Sequence, residues 1–260
     1  MAPSSSSTSE LAVAVSRLRS AGCVFAEQEA DLITATARTP EESTSMIRQR
    51  CSGYPLEHVL GWAWFCGLRL TVDPGVFVPR PRTEFLVHRA AALLRPGAIA
   101  VDVCCGSGAL GAVLAATQPN LTLHAADIDA ASVACARRNL PGHAVHQGDL
   151  YAPIPDELRE HVDVLVANVP YVPTHRIALL PPEARLHEPR QALDGGADGL
   201  DILRRLTAGA HEWLAPRGRL LVEVAEGQVE AARAAFVTAG LSYQVVTSAE
   251  HDANVLVGAL

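Results

Sequence analysis

The sequence predicts an α/β fold, in which a mostly parallel sheet is covered by helices on both faces and follows a small helical domain. Two patterns in the chain of 260 residues lead to this prediction. After Pro96-Gly97, short apolar runs alternate with alanine-rich helical stretches, which is typical of parallel strands joined by crossover helices. From Glu10 to about Arg50, apolar residues instead recur at helical spacing.

The N-terminal region carries a helical pattern with a clear start signal. Leu11, Val15 and Leu18 fall on one helix face, at spacings of four and three. Residues 39–42 read Thr-Pro-Glu-Glu, which predicts a helix with threonine as N-cap, proline at the first position and two carboxylates at the positive end of the helix dipole. The serine-rich start of the chain, residues 2–9, is expected to be disordered.

A β-hairpin is predicted between the helical region and the larger domain. Residues 62–80 are rich in aromatic and β-branched side chains and are interrupted at Asp73-Pro74-Gly75. The expected organisation is a disordered tail, a helical domain, a linking hairpin and an α/β domain, over residues 1–9, 10–60, 61–80 and 81–260 respectively.

The larger domain is predicted to contain both parallel strands and an antiparallel edge. Apolar runs predict parallel strands over residues 99–103, 121–126, 143–146, 162–167 and 219–224. Helical patterns follow most of these runs, over residues 108–117, 129–139, 200–214 and 226–239. The last two apolar runs, 243–247 and 255–259, have no helix between them, so they are expected to pair antiparallel at one edge of the sheet.

Composition and charge exclude several functions. Apolar residues make up 49% of the chain and charged residues 19%, so the chain can bury a sizeable core. All 21 basic residues are arginines, which excludes Schiff-base chemistry, pyridoxal phosphate anchoring and the Walker phosphate loop, since each needs a lysine amine. The net charge of −7 disfavours a nucleic-acid partner, because duplex binding normally requires a basic excess.

The dispersed cysteines and histidines predict no metal site. None of the six cysteines belongs to a CxxC pair, and no cluster completes a zinc set. Scattered cysteines are typical of reduced thiols in a cytoplasmic protein. The start of the chain lacks the cationic and apolar regions of a signal peptide, and no apolar stretch is long enough to span a bilayer. A cytoplasmic location without a membrane partner is therefore expected.

The first strand of the larger domain ends in a glycine-rich turn that indicates a ligand site. Gly106, Gly108 and Gly111 match the GxGxxG spacing of a dinucleotide fingerprint. Such a turn lets a ligand approach the backbone, and the next helix offers free N–H groups. The same residues also suit a tight strand-to-helix turn without a ligand. Cys104 and Cys105 precede the helix N-terminus, where a lowered thiol pKa is expected.

Two carboxylates favour S-adenosylmethionine over a dinucleotide. Asp102 lies inside the first strand of this domain, where a dinucleotide-binding strand is normally apolar. Asp127 ends the second strand, where a carboxylate can hold both ribose hydroxyls. A ribose contact without a diphosphate suits S-adenosylmethionine, whose cationic methionine end tolerates a nearby acid. The alternative for Asp127 is an N-cap of the helix that follows.

The fourth strand runs directly into Asn168-Val169-Pro170-Tyr171, and with this loop the chain resembles the HemK/PrmC family of protein-(glutamine-N5) methyltransferases, class I enzymes that use S-adenosylmethionine. The resemblance covers roughly residues 50–260. Its other segments are PLEHVLGWAWFCGLRLTVDPGVFVPRPRTEFLV (55–87), DVCCGSGALG (102–111), HEPRQALDGGADGLDILRRL (187–206) and LLVEVAEGQ (220–228). It implies a Rossmann-like, seven-stranded class I methyltransferase domain.

The resemblance also implies roles for individual residues. Asn168 and the carbonyl of Val169 are expected to accept hydrogen bonds from the target amide nitrogen. Pro170 and Tyr171 complete the catalytic loop, and the tyrosine is expected to pack against the target group. Cofactor binding is expected from Asp102, Cys104, Cys105, Gly106, Ser107, Gly108, Asp127, Asp149, Leu150 and Asn168.

Three departures from the family pattern bear on the substrate. Val169 replaces the first proline of the family's Asn-Pro-Pro-Tyr signature, which removes a fixed φ and adds an N–H group. Arg82 stands where the family has the first glutamate of PRPETE, and Cys104 stands where it has a glycine. These departures indicate a divergent paralogue and bear on the acceptor more than on the chemistry.

The leading hypothesis is methyl transfer to a glutamine side-chain amide of a protein, and the family's usual target is a peptide-chain release factor. The same chemistry on a small metabolite or a carrier-bound peptide is an alternative. Further alternatives are an adenine-N6 nucleic-acid methyltransferase, a catalytically silent module and an NAD-dependent dehydrogenase. The acidic balance and the absence of lysine disfavour the nucleic-acid methyltransferase. Retention of Asp127, Asn168 and Tyr171 disfavours the silent module, and Asp102 together with the Asn-Val-Pro-Tyr loop disfavours the dehydrogenase.

Overall fold

The computed structural model describes residues 5–260, and the N-terminal helices form a layer with its own core. They are α1 (Ser5–Ser20), α2 (Ala26–Thr36), α3 (Pro40–Cys51) and α4 (Leu56–Leu60). Leu18 and Ile33 are fully buried in this core. The predicted start of α3 is confirmed, because Thr39 Oγ1 accepts the Glu42 N–H at 3.1 Å. Of the tail predicted over residues 1–9, residues 1–4 lie outside the described residues, and α1 begins at Ser5.

The predicted hairpin is present, but its turn is not where the sequence indicated. Its antiparallel strands are β1 (Trp62–Phe65) and β2 (Leu68–Thr71). Cys66 and Gly67 form the two-residue turn with φ of +47° and +75°, which matches the twist of the flanking strands. Asp73-Pro74-Gly75 makes a separate turn after β2, closed by the bond from the Val76 N–H to the Asp73 carbonyl. Pro-Gly is the stronger turn signal in the sequence, whereas a left-handed cysteine gives none.

In the described part of the chain, seven strands form the central sheet in the spatial order β5-β4-β3-β6-β7-β9-β8. They are β3 (Ile99–Val103), β4 (Thr122–Asp127), β5 (Ala144–Gln147), β6 (Val162–Ala167), β7 (Leu214–Val224), β8 (Ser242–Ser248) and β9 (Ala253–Ala259). Strands β3 to β7 are parallel, whereas β9 runs antiparallel to β7 and β8. The predicted strands and their antiparallel edge are confirmed, although β7 begins at Leu214 instead of 219.

Helices cover both faces of this sheet. The remaining ones within residues 5–260 are α5 (Thr83–Ala91), α6 (Ala109–Thr117), α7 (Ala130–Asn139), α8 (Pro182–His187), α9 (Asp201–Ala210) and α10 (Val229–Thr238). Leu86, Leu114 and Val133 pack α5, α6 and α7 into one core, and Leu206 and Phe236 pack α9 and α10 into another. The helix predicted over 200–214 ends at Ala210 because β7 begins soon after it. None of the described helices has both the length and the apolar character needed to cross a membrane.

Asn139 anchors the hairpin to the α/β domain through its side-chain amide. This last residue of α7 accepts the Thr71 N–H at 2.9 Å and donates to the Thr71 carbonyl at 2.8 Å. It also donates to the Ser107 carbonyl at 2.8 Å. The hairpin is therefore joined to the turn that follows β3.

Arg50, in α3, ties the helical layer to the α/β domain. Its guanidinium donates to both carboxylate oxygens of Glu29, at 2.6 and 3.2 Å, and to Glu183 in α8 at 2.6 Å. Beside this contact, Tyr54 packs on His187 with ring centroids 4.1 Å apart. Arg50 and Glu29 are buried, whereas the Glu183 side chain is 46% exposed. The helical layer thus fixes the position of α8.

Replacing Arg50 by alanine is expected to lower the free energy of unfolding by about 3–5 kcal/mol, because Glu29 would keep a buried charge without its partner. Glu183→Ala is the matched control, since it removes only the half-exposed partner and is expected to cost less than about 1 kcal/mol. Urea unfolding followed by circular dichroism measures both losses. Equal losses would contradict the assignment of Glu29 as the buried partner.

Candidate functional site

A cavity of about 800 Å³ opens at the carboxyl ends of the parallel strands, where α/β sheets place their ligands. Its volume is typical of small-molecule sites. Segments after β3, β4, β5 and β6 contribute one side of the lining, within residues 104–107, 127–129, 148–150 and 168–172. Residues within 77–83, before α5, and within 180–194, around α8, enclose the other side.

The strand ends bring most of the predicted site residues to this cavity. Asp102 and Gly108 are the exceptions among them, since neither lines the cavity. The predicted residues that do line it are Cys104, Cys105, Gly106, Ser107, Asp127, Asp149, Leu150, Asn168, Val169, Pro170 and Tyr171.

Gly106 and Gly108 shape the turn after β3 for different reasons. Both have positive φ, +53° and +77° respectively. A Cβ at Gly106 would meet no atom within 4 Å, so the missing side chain leaves open space at the cavity wall. A Cβ at Gly108 would lie between 3.0 and 3.2 Å from atoms of Leu140 and Ala136. Gly108 therefore serves the close packing of α6 against α7.

Asp102 lies below the turn and is fully buried in β3. Its Oδ2 accepts the N–H of Gly111, in the first turn of α6, at 2.9 Å. Its Oδ1 has no hydrogen-bond partner within residues 5–260. Burial, with a smaller effect from the charge of Asp127, raises the pKa of Asp102 to about 7. This side chain therefore acts on the cavity by holding the turn.

Asp127, at the end of β4, holds the same turn from the cavity side. Its Oδ2 accepts the Gly106 N–H at 2.8 Å, and its Oδ1 accepts the Asp129 N–H at 2.9 Å. Each carboxylate oxygen retains a further lone pair. Burial raises the pKa of Asp127, against the opposing effect of these two N–H groups. The N-cap of α7 is Asp129, which accepts the Ser132 N–H at 2.8 Å, so the alternative assignment of Asp127 as that N-cap is wrong.

The residues after β4 and β5 give one end of the cavity an apolar wall. Leu150 is buried and has a φ of +48°, and the neighbouring Asp149 pairs with Arg205. Ile128 also lines the cavity, although its side chain is 57% exposed. Ile128 was not among the predicted site residues, although an apolar residue directly after a strand-ending acid is a signal that could have identified it. An exposed apolar side chain in a cavity favours a ligand that covers it.

The loop after β6 offers two hydrogen-bond acceptors on consecutive residues. Asn168 Nδ2 donates to Thr83 Oγ1 at 3.2 Å, whereas Asn168 Oδ1 has no partner within the described residues. The side chain of Val169 is buried, and the hydrogen bonds of the described chain leave its carbonyl oxygen without a donor. A group with two N–H bonds could therefore be held by this loop.

Close backbone packing fixes the position of this loop. A Cβ at Gly195 would lie 2.7 Å from the carbonyl oxygen of Pro170, and one at Gly199 would lie 2.2 Å from that of Tyr171. Gln228 donates to the same Tyr171 carbonyl at 2.8 Å. Side chains at the two glycines would therefore displace the loop.

Two arginines from the segment before α5 border the opposite side of the cavity. Arg80 donates to both carboxylate oxygens of the buried Glu188, each at 2.6 Å. The Nε of Arg82 lies 3.5 Å from Oε1 of Glu223, in β7, and its guanidinium lies 5.7 Å from the centroid of the Tyr171 ring. Glu188 and Glu223 could not be predicted from the sequence, because no local pattern indicates a partner more than a hundred residues away.

Burial raises the pKa of the Cys104 and Cys105 thiols. The lowering expected at a helix N-terminus is therefore wrong, because the cost of desolvating a thiolate outweighs the effect of the helix dipole. Cys104 also has a φ of +58°, a left-handed conformation that costs an L residue about 1–2 kcal/mol. A glycine at this position, as in the family that the chain resembles, would avoid that cost.

The raised pKa of Asp102 is expected to make the ligand-free chain less stable as the pH rises. Between about pH 4 and pH 7, folded Asp102 holds a proton that the unfolded chain has lost, so the free energy of unfolding falls as the pH rises through this window. Asp102→Asn stays neutral and should lose this dependence, a difference of roughly 1–3 kcal/mol between pH 8 and pH 5. Denaturant unfolding at both pH values measures the effect. The same pH dependence in both proteins would contradict the raised pKa.

The chain is similar to methyltransferases in sequence and in fold. The family model described as methyltransferase small domain matches residues 67–196. A release factor glutamine methyltransferase of Geobacter sulfurreducens is 36% identical over 77% of this chain and 72% of its own length. A 4-amino-L-phenylalanine/4-methylamino-L-phenylalanine methyltransferase of Streptomyces pristinaespiralis is 35% identical over 90% of this chain and 82% of its own length. The crystal structure of a methyltransferase from Pyrococcus furiosus has the same fold, with a TM-score of 0.54 at 18% identity, and covers 75% of this chain and 89% of that one.

Proposed function

We propose that this chain methylates the side-chain amide nitrogen of a glutamine in a protein, because it belongs to the family of the release factor glutamine methyltransferases. S-adenosylmethionine is its methyl donor. The observation that carries the proposal is the pair of unsatisfied acceptors, Asn168 Oδ1 and the Val169 carbonyl, at the cavity. A primary amide has two N–H bonds, and the two acceptors match them. The proposed partner is a peptide-chain release factor, and the proposed location is the cytoplasm.

The residues at the strand ends fit the cofactor. Asp127 would hold the ribose hydroxyls with its remaining lone pairs, and the open space at Gly106 would admit a group against the backbone. Ile128 and Leu150 would pack against the adenine ring. Asp102 would act on the methionine end only indirectly, by holding the turn after β3. When bound, S-adenosylmethionine supplies a methyl group on a sulfonium centre that is already activated for transfer.

The chain itself contributes positioning. An amide nitrogen is a poor nucleophile, because its lone pair is delocalised into the carbonyl. By accepting both N–H bonds, Asn168 and Val169 would fix the nitrogen and aim its lone pair, and Tyr171 would pack against the amide. Positioning of this kind lowers a barrier by up to about 7–11 kcal/mol. The proton can leave the methylated nitrogen for water, so the mechanism requires no strongly basic side chain.

A small aromatic amine is the second candidate acceptor. Similarity to the Streptomyces pristinaespiralis relative extends over 90% of this chain, compared with 77% for the Geobacter sulfurreducens relative. An aromatic NH₂ group would present the same two N–H bonds to Asn168 and Val169. Arg82, which lines the cavity and is paired with Glu223, would also have to bind the free carboxylate of such an amino acid.

Incubation with isotopically labelled S-adenosylmethionine distinguishes the two acceptors. The purified chain is given a bacterial release factor in one reaction and 4-amino-L-phenylalanine in the other. We expect label on a glutamine of the release factor, located by mass spectrometry. Label on the amino acid alone would favour the second candidate, and label on neither would contradict both.

Asp127→Ala is expected to weaken the binding of S-adenosylmethionine by roughly 1.5–3 kcal/mol, the usual scale for hydrogen bonds to a charged group. Isothermal titration calorimetry measures the loss. NAD serves as the control ligand, which the wild-type chain should not bind. An unchanged affinity for S-adenosylmethionine would mean that Asp127 only holds the turn.

Asn168→Ala is expected to be nearly inactive, because the target nitrogen would lose an acceptor, and a misplacement of about 1 Å costs on the order of 100-fold in rate. Asn168→Asp keeps an acceptor and should retain part of the activity. In both variants the affinity for S-adenosylmethionine should fall less than turnover. Wild-type turnover by the alanine variant would refute the proposed role of this loop.

A further inference from the structure

Behind Asn168 lies a buried row of polar side chains that the proposed mechanism does not use. Thr83, at the start of α5, and Glu223, in β7, are each 2% exposed. Thr83 Oγ1 accepts the bond from Asn168 Nδ2 at 3.2 Å, and its hydroxyl lowers the pKa of the Glu223 carboxyl beside it. Arg82 completes the row, with its Nε 3.5 Å from Glu223 Oε1.

The direction of the hydrogen bonds in this row determines whether Asn168 presents its oxygen or its NH₂ group to the cavity. If Thr83 donated its proton to Asn168, the amide would turn its oxygen away from the cavity and present its NH₂ group instead. A hydroxyl can donate or accept, but a carboxylate only accepts. Glu223 Oε2 has no hydrogen-bond partner within the described residues, so the Thr83 proton can turn to this carboxylate, which leaves the Thr83 oxygen as the acceptor for Asn168 Nδ2.

We propose that Glu223 and Thr83 are positioning residues that make Asn168 present its oxygen, and not its NH₂ group, to the methyl acceptor. The proposal rests on the proposed function, because it concerns the same acceptor group. A glutamine amide and an aromatic amine both bring N–H bonds to the site, so either would meet a donor instead of an acceptor if Asn168 were turned.

Two neighbouring groups oppose the effect of burial on the Glu223 carboxyl, whose pKa is raised on balance. Burial raises its pKa, whereas the hydroxyl of Thr83 and the guanidinium of Arg82 lower it. Burial raises the pKa of the Tyr171 phenol, and the negative charge of Glu223 adds to this effect. Arg82 thus balances a buried negative charge. This pairing is a structural reason for an arginine at the position where the family has a glutamate.

A double-mutant cycle tests the proposal. Glu223→Gln and Thr83→Val are each expected to lower kcat on the order of 10–100-fold, while the Kd for S-adenosylmethionine changes by less than about twofold. The double variant should be no slower than Thr83→Val, because Glu223 acts through Thr83. Thr83→Ser restores the hydroxyl and should recover most of the lost kcat.

Thr207→Val is the matched control, because Thr207 is a buried threonine in α9 that donates to the Arg204 carbonyl and does not line the cavity. Its kcat should equal that of the wild type. Losses that multiply in the double variant, or a Thr83→Ser variant no faster than Thr83→Val, would overturn the proposal. The two Thr83 variants decide the question even if Glu223→Gln does not fold.

A second measurement does not depend on activity, so it separates failure of this proposal from failure of the proposed function. Hydrogen exchange of the Asn168 NH₂ group, followed by nuclear magnetic resonance, should be slow in the wild type and in Thr83→Ser. It should be faster in Thr83→Val and in Glu223→Gln. Equal exchange rates in all four proteins would overturn the proposed hydrogen bonds among Asn168, Thr83 and Glu223. Absence of methyl transfer by the wild type would overturn only the proposed function.

Discussion

Two carboxylates hold the turn after β3, and the rest of the site depends on this turn. Asp102 accepts the Gly111 N–H from below, and Asp127 accepts the Gly106 N–H from the side of the cavity. Backbone N–H groups in the first turn of a helix have no partner within the helix, so Asp102 supplies the missing acceptor for Gly111, while Asp127 serves the turn itself. The negative charge of Asp127 adds to the burial that raises the pKa of Asp102. Asp127, which lines the cavity, is therefore the carboxylate that a ligand can meet, whereas Asp102 acts through the turn.

The other end of the cavity is assembled from remote parts of the chain. Gln228, after β7, holds the backbone of the Asn168 loop, and Thr83, on α5, holds its side chain. The helical layer contributes through Arg50, which fixes α8, and through the hairpin, which Asn139 joins to the turn after β3. Elements outside the parallel strands thus fix each side of the cavity. The sheet determines where the cavity lies, and these other elements determine its shape.

The strands and the residues at their ends could be predicted because their signals are local. Buried parallel strands give continuous apolar runs, and polar residues directly after them meet at one edge of the sheet. The same information does not reveal on which side of a turn a residue lies, so Asp102 and Gly108 were expected at the cavity but lie behind its wall. Thr83 and Asn168 are 85 positions apart, and no periodicity links them. The left-handed Cys66 likewise left no signal in the sequence.

The contact of Arg50 with Glu183 makes the helical layer part of the binding equilibrium. Helix α8 is both a wall of the cavity and the point at which the helical layer docks. Coupling free energies between two equilibria are reciprocal. If docking of the helical layer strengthens ligand binding by a given free energy, a bound ligand strengthens docking of the layer by the same free energy. Coupling between the N-terminal helices and the contents of the cavity can therefore pass through α8, which both of them contact.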